Sequence, residues 1–159
     1  MSLFKSNVQD LILSNFKDGF FVAENIGIAQ IQGTELYWQF PIMSWQNSLS
    51  MTWLKPEDKA TGLILPKRAQ RLLKWSTYYR YGKQGFGYNF TAESERFNSL
   101  ANTSTSAGFG LVALNYRYHF NKDTQVNLDI ENAFDRQYET VPGYFEQRRA
   151  FVLSWTQAL

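Results

Sequence analysis

Large apolar residues recur at every second position along most of the chain, the spacing that gathers them on one face of an extended strand. In residues 45–53, Trp45, Leu49, Met51 and Trp53 share one parity with Asn47, while Gln46, Ser48, Ser50 and Thr52 hold the other. Residues 86–95 set Phe86, Tyr88, Phe90 and Ala92 against Asn89, Thr91, Glu93 and Glu95. Residues 112–120 set Val112, Leu114, Tyr116, Tyr118 and Phe120 against Ala113, Asn115, Arg117 and His119. Val126, Leu128 and Ile130 alternate with Gln125, Asn127, Asp129 and Glu131. The final stretch opposes Phe151, Leu153, Trp155 and Leu159 to Ser154, Thr156 and Ala158. Residues 34–40 and 69–81 follow the same rule with more exceptions. The opening stretch, Leu3 to Leu13, alternates poorly; context makes it a strand, although Val8–Ile12 also fits a short helical turn. The pattern predicts eight strands.

Their connections alternate in length. Long ones lie at Ser14–Gly27 (with an Asp18-Gly19 turn signal), Lys55–Pro66, Asn98–Gly108 and Asp135–Arg148. Tight ones lie at Pro41–Ser44, Gly82–Gly85 and Asn121–Asp123. Long connections on one side and short ones on the other are the rhythm of an outer-membrane barrel. A tilted membrane strand of about 9–11 residues fits each repeat.

Alternation alone leaves two architectures open. A soluble sandwich or lipocalin-like barrel turns the apolar face inward, against a small apolar ligand; a membrane barrel turns it out. Composition bears on the choice, because 13 Phe, 9 Tyr and 5 Trp coexist with a mean hydropathy of −0.38. The rings cluster at strand ends, Phe40, Trp45, Tyr81, Phe86 and Phe120 by the short turns and Trp53, Phe97, Phe109 and Phe151 by the long loops. Two such bands resemble interfacial girdles. The polar parity carries Glu35, Lys74, Glu93, Glu95, Arg117, Asp129 and Glu131, which suits a wet lumen where opposite charges meet. A closed barrel also satisfies every backbone group, as lipid demands. The expected fold is therefore all-β, an antiparallel up-and-down transmembrane barrel of eight strands in one domain, 1–159.

Few residues offer chemistry. The chain has no Cys and one His, His119, so thiolate and multi-imidazole metal sites are excluded. A net charge of +2 gives no reason to expect nucleic acid. No apolar run is long enough for a membrane helix, and the start lacks a signal-peptide pattern. Glu93 and Glu95 share a strand face without a catalytic partner, and Arg117 or Lys74 is placed to neutralise them. Gly82–Tyr88 lacks the ending of a phosphate loop, so it reads as a turn. Lys67, Arg68 and Arg71 form a basic strand end suited to lipopolysaccharide phosphates or to solvent. No enzyme activity and no cofactor are expected.

The segment Val126–Glu139 (VNLDIENAFDRQYE) resembles the "NLFD-x-x-Y" segment of TonB-dependent outer-membrane receptors, with Ala133 in place of the usual Leu. Thr140–Tyr144, the pair Arg148-Arg149 and an alternating last strand follow at the spacing of that family. Gly33-Thr34-Glu35 is similar to its "G-x-E" strand, and Leu65–Gln70 to its "P-x-R/K" strand start. Tyr138–Val141 and Gly143-Tyr144 resemble the cobalamin transporter branch.

This resemblance implies that the chain is the last eight strands of a barrel of about 22, or a small closed barrel made of those eight. It implies uptake of cobalamin or a similar metal chelate, with outer-membrane lipid, lipopolysaccharide and the barrel-insertion machinery as partners. It further implies that TonB acts on a plug domain that these residues do not include. The chain is then a truncated barrel, without an export signal, not expected to bind TonB or to perform energised transport alone. A passive pore or structural barrel is the remaining membrane alternative. Asn132, Phe134, Asp135 and Tyr138 carry the family motif, read as a strand end that stabilises the fold. Tyr138, Tyr144 and Phe145 are the candidate ligand contacts in the last external loop. Phe151, Leu153, Trp155 and Leu159 match the terminal insertion signal, although Leu159 stands where the family usually has Phe, and Gln157 where a large residue is common.

Overall fold

The computed structural model describes residues 1–17 and 20–158. Strands are numbered in chain order. The eight predicted strands form one antiparallel sheet: β1 (Ser2–Gln9), β4 (Ile28–Ile42), β5 (Trp45–Asp58), β6 (Arg71–Tyr81), β7 (Gln84–Glu93), β10 (Phe109–His119), β11 (Thr124–Glu131) and β14 (Ala150–Gln157). Neighbours in the sheet are neighbours in sequence order, which is up-and-down topology. Three of the long connections fold into small hairpins of their own. These are β2 (Ile12–Lys17) with β3 (Phe20–Asn25), β8 (Arg96–Phe97) with β9 (Thr105–Ser106), and β12 (Glu139–Val141) with β13 (Tyr144–Phe145). The Asp18-Gly19 turn signal and Leu159 lie outside the described residues.

The opening stretch is strand, not helix. Val8 and Gln9 pair with Ala29 and Ile28, and the chain bends at Asp10, whose φ is +53°. The ladder then continues into the β2–β3 hairpin through Asp10 N–H to the Gly27 carbonyl at 2.6 Å.

The register confirms the two faces. One row places Trp38, Leu49, Trp75, Phe90 and Val112 side by side; another places Ile42, Trp45, Tyr79, Phe86, Tyr116, Leu128 and Leu153. The opposite face carries Gln46, Tyr78, Gly87, Asn115 and Asp129 in one row. No second layer covers the apolar face among the described residues: Trp38 is 56% exposed and Leu153 72%. A soluble sandwich would bury that face, so the soluble reading falls.

The sheet is open. β1 and β14 are its edges and do not pair, so the small closed barrel is not formed. β1 begins opposite Glu35, which leaves Leu36–Ile42 of β4 without a partner on that side among the described residues. An unpaired edge cannot face lipid, because its N–H and C=O groups would go unsatisfied. The eight strands are thus the geometry of a barrel segment.

Packing is concentrated at the long-connection end. Leu65 and Ala29 are fully buried, with Ala69 and Phe109 nearly so. β4 and β5 run past the apolar layer toward this end, and their outward residues change from Leu36, Met51 and Trp53 to Gln32, Gln30, Lys55 and Glu57. Phe109 departs from the expected girdle: it pairs with Glu93 on the inward face and is only 7% exposed. Two glycines admit rings at close approach. A Cβ at Gly33 would lie 2.5 Å from Phe4 Cζ, and one at Gly85 would collide with Tyr78 Oη.

Candidate functional site

The last long connection folds inward over the polar face, and the Asn132–Tyr138 motif sets its path. Asn132 leaves β11 with φ +46°, a conformation that Asn tolerates because its side chain can bond nearby backbone. Its Nδ2 donates to the carbonyls of Arg136 at 2.8 Å and Gln147 at 3.2 Å, and its Oδ1 accepts the Arg136 N–H at 2.9 Å. One buried amide therefore ties the outgoing arm of the loop to the returning arm. Asp135, also at positive φ, accepts from Arg148 Nε at 2.9 Å and Nη2 at 2.6 Å, and from the Arg149 N–H at 3.0 Å. This fork geometry holds the Asp135 carboxyl well below the usual carboxylate range, with the Arg148 hydrogen bonds as the main cause and the Arg149 N–H next.

The clasp brings Tyr138 onto Phe109, with ring centroids 4.5 Å apart. The Arg96 guanidinium lies 5.7 Å from the other partner of that stack, the Phe109 ring centre, and pairs with Glu93. Glu93 is thus neutralised by Arg96 of its own loop, not by Lys74 or Arg117 as the strand pattern suggested. Arg117 instead donates to Asn127 at 2.7 Å. Burial, followed by the charges of Glu146, Glu93 and Glu131, pushes the Tyr138 phenol up, so it remains a neutral donor at neutral pH.

Between loop and wall lies a hollow of about 470 Å³. Thr91, Glu93, Leu111 and Glu131 line it from the wall; Tyr138, Thr140 and Glu146 line it from the loop. A second hollow of about 420 Å³ continues down the same face, lined by Gln46, Ser76, Tyr78, Asn89, Asn115 and Arg117. The arrangement offers hydrogen-bond donors and acceptors around an aromatic floor, which is binding chemistry.

The structure separates the three candidate ligand contacts. Tyr138 lines the hollow, whereas Tyr144 and Phe145 sit at the β12–β13 tip, 69% and 66% exposed and outside it. Phe134 is 80% exposed beside the clasp. Of the terminal-strand residues, Phe151, Leu153 and Trp155 share the outward face opposite Ile130, Leu128 and Val126.

Sequence reasoning missed two residues that shape this end. Arg96 is buried beneath the loop, three residues after its partner Glu93, and that spacing was the available signal. Asn102, inside the low-complexity stretch, takes φ +55° and clamps Ile64 on both sides, accepting its N–H at 2.9 Å and donating to its carbonyl at 2.8 Å. Nothing in a Ser/Thr-rich run singles it out.

An open antiparallel wall, apolar outside and polar inside, with short turns at one end and an in-folded loop at the other, defines a segment of an outer-membrane receptor barrel. A family model described as TonB dependent receptor-like, beta-barrel, matches residues 1–133, and the chain belongs to that family. Its members are transporters and receptors, not enzymes, and act in the outer membrane. The vitamin B12 transporter BtuB of Vibrio cholerae is 28% identical over 134 residues, covering 81% of this chain and 22% of that protein. The vitamin B12 transporter BtuB of Photobacterium profundum is 25% identical over 158 residues, covering 96% and 26%. The chain thus spans about a quarter of the length of the curated relatives it matches. Among solved structures, the copper transporter OprC superposes with a TM-score of 0.79 at 21% identity over 97% of this chain and 27% of that one. The siderophore receptor PiuA of Acinetobacter baumannii gives 0.78 at 19% over 98% and 25%. These two share the fold.

Proposed function

We propose that the chain forms part of the wall and mouth of a receptor that takes up cobalamin or a similar metal chelate. The observation that carries this reading is the hollow between the in-folded last loop and the polar wall. Tyr138 contacts the ligand there, while Tyr144 and Phe145 meet it at the loop tip during capture. Transport is binding followed by plug movement, with no covalent step. The plug is the part that TonB engages, so TonB does not bind these strands. The similarity to vitamin B12 transporters supports the corrinoid choice. The outward face contacts membrane lipid and lipopolysaccharide, and the insertion machinery reads the terminal signal carried by Phe151, Leu153, Trp155 and Leu159.

The test is cyanocobalamin binding to outer membranes that carry the complete receptor. Tyr138→Ala weakens binding about tenfold, in line with loss of a packed aromatic contact of roughly 1–2 kcal/mol, and Tyr144→Ala weakens it less. Absence of corrinoid binding by the unaltered receptor contradicts the ligand assignment, and binding indifferent to Tyr138→Ala contradicts the site.

A further inference from the structure

Arg96 opens β8, just past the wall strand that ends at Glu93, and it does not line the hollow. A braced frame delivers its side chain. β8 pairs with β9 through Arg96 opposite Ser106 and Phe97 opposite Thr105. The Phe97 carbonyl accepts the Lys67 N–H at 2.7 Å, which ties this hairpin to the connection between β5 and β6. Buried Ser106 donates to Asn98 Oδ1 at 3.0 Å and closes the hairpin on itself.

A buried arginine that serves an ion pair alone tends to meet its carboxylate with both arms of the fork. Arg96 does not. Among the described residues its side chain donates through Nη2 to Glu93, and its buried Nε has no acceptor. An unsatisfied buried donor costs free energy, so a further contact holds this orientation. The Phe109 ring supplies it: the ring centre lies 5.7 Å from Arg96 Cζ, within reach of a cation–ring attraction. Tyr138 contacts the same ring, centroids 4.5 Å apart and planes tilted by 45°. Phe109 thus links a buried cation to the phenol ring that lines the hollow.

We propose that Arg96 is a positioning residue for ligand capture, setting through Phe109 the seat and tilt of Tyr138. The inference rests on the reading of Tyr138 as a ligand contact and adds a residue that acts from outside the hollow. A cation on the Phe109 ring makes the ring edge more positive, which strengthens its contact with a tilted neighbour. A ring seated in advance loses less freedom when the ligand arrives, so affinity rises without any contact between Arg96 and ligand. The effect is about fivefold in affinity, within the range of a desolvated cation–ring pair.

The experiment is a double-mutant cycle between Arg96 and Tyr138 in the complete receptor in outer membranes, with cyanocobalamin as the probe. Arg96→Met weakens binding about fivefold with Tyr138 present and adds nothing to Tyr138→Ala, because Arg96 acts only through that ring. Equal losses in the two backgrounds make Arg96 merely structural and overturn the proposal. Arg96→Met also leaves Glu93 without its cation, so Glu93→Gln/Arg96→Met is compared with Glu93→Gln alone. The same loss between these two supports the proposal; no loss means that Arg96 only neutralises the carboxylate, and overturns it. A second readout needs no ligand: with 3-fluorotyrosine in place of Tyr138 alone, fluorine NMR of the receptor in detergent reports the ring current of Phe109. Arg96→Met moves this signal toward that of solvated fluorotyrosine, and an unmoved signal overturns the proposal. A receptor whose signal moves but that binds no corrinoid sinks the ligand reading alone. One that binds corrinoid with an unmoved signal sinks only the positioning role.

Discussion

The two ends of the sheet are held together by different physics. The membrane wall, from the short turns up to Trp53 and Arg71, is one layer thick, and its side chains are half-exposed on both faces. Its order comes from backbone ladders and from cross-strand rows such as Trp45 on Tyr79, 5.0 Å apart, and Phe86 on Tyr116, 5.3 Å apart. The long-loop cap has a small true core around Leu65, and its connections are closed by single polar side chains, Asn102 and Asn132, that each satisfy several backbone groups. The wall is completed by lipid and by neighbouring strands, whereas the cap is completed by itself. That difference decides which substitutions matter where.

The strongest break in the comparison is to swap the solvent preference of the wall. Leu114→Arg places a charge on the lipid face and costs about 2–4 kcal/mol of folding stability in a bilayer. The same change one residue on, Asn115→Arg, faces the polar side and costs little. Urea unfolding of the complete receptor in liposomes reads the pair, and equal losses would mean the faces are misassigned. Of similar size is the effect in the cap core. Leu65→Ala leaves a cavity and costs about 2–5 kcal/mol, felt as local opening of the two loops that Asn102 joins, with the wall ladders unchanged by hydrogen exchange.

A smaller effect is expected at the clasp. Asn132→Ala leaves the Arg136 N–H and the Arg136 and Gln147 carbonyls without their partner, at about 1–3 kcal/mol for the loop. Exchange at Arg136 accelerates and Tyr138 loses its seat on Phe109. The smallest response is to pH. Arg148 and the Arg149 N–H depress the Asp135 carboxyl, so its contribution is present above the ordinary carboxylate range and lost only as pH falls through its lowered native value. Loop proteolysis is therefore flat from pH 8 to about 4 and rises only in stronger acid; Asp135→Asn removes that acid transition.

The wall was legible in the sequence because period two is a direct record of a two-faced strand. Trp45–Trp53 and Val112–Phe120 show both faces without any knowledge of neighbours. The cap was legible only in part. Asn132 and Asp135 stood out through a motif, but Phe109 looked like one more girdle ring, because parity near a strand end does not reveal that a loop will fold over it. Arg96 was missed for the same reason: its burial depends on the return of Tyr138 from a loop more than forty residues later. Three stretches read only as long connections contain hairpins, since pairs such as Ser14 with Ala23 carry no alternation to announce them.

The central claim is that the apolar parity of this wall faces lipid and the polar parity faces water. These residues contain no Cys, so a single-cysteine scan places a spin label in turn at residues 45–53 of the complete receptor in bilayers, with any cysteine elsewhere in that receptor replaced by serine. The account predicts a period-two profile, with labels at 45, 49, 51 and 53 relaxed by oxygen and those at 46, 48, 50 and 52 relaxed by a water-soluble nickel complex. The reverse phase, or a profile with no period of two, would contradict it.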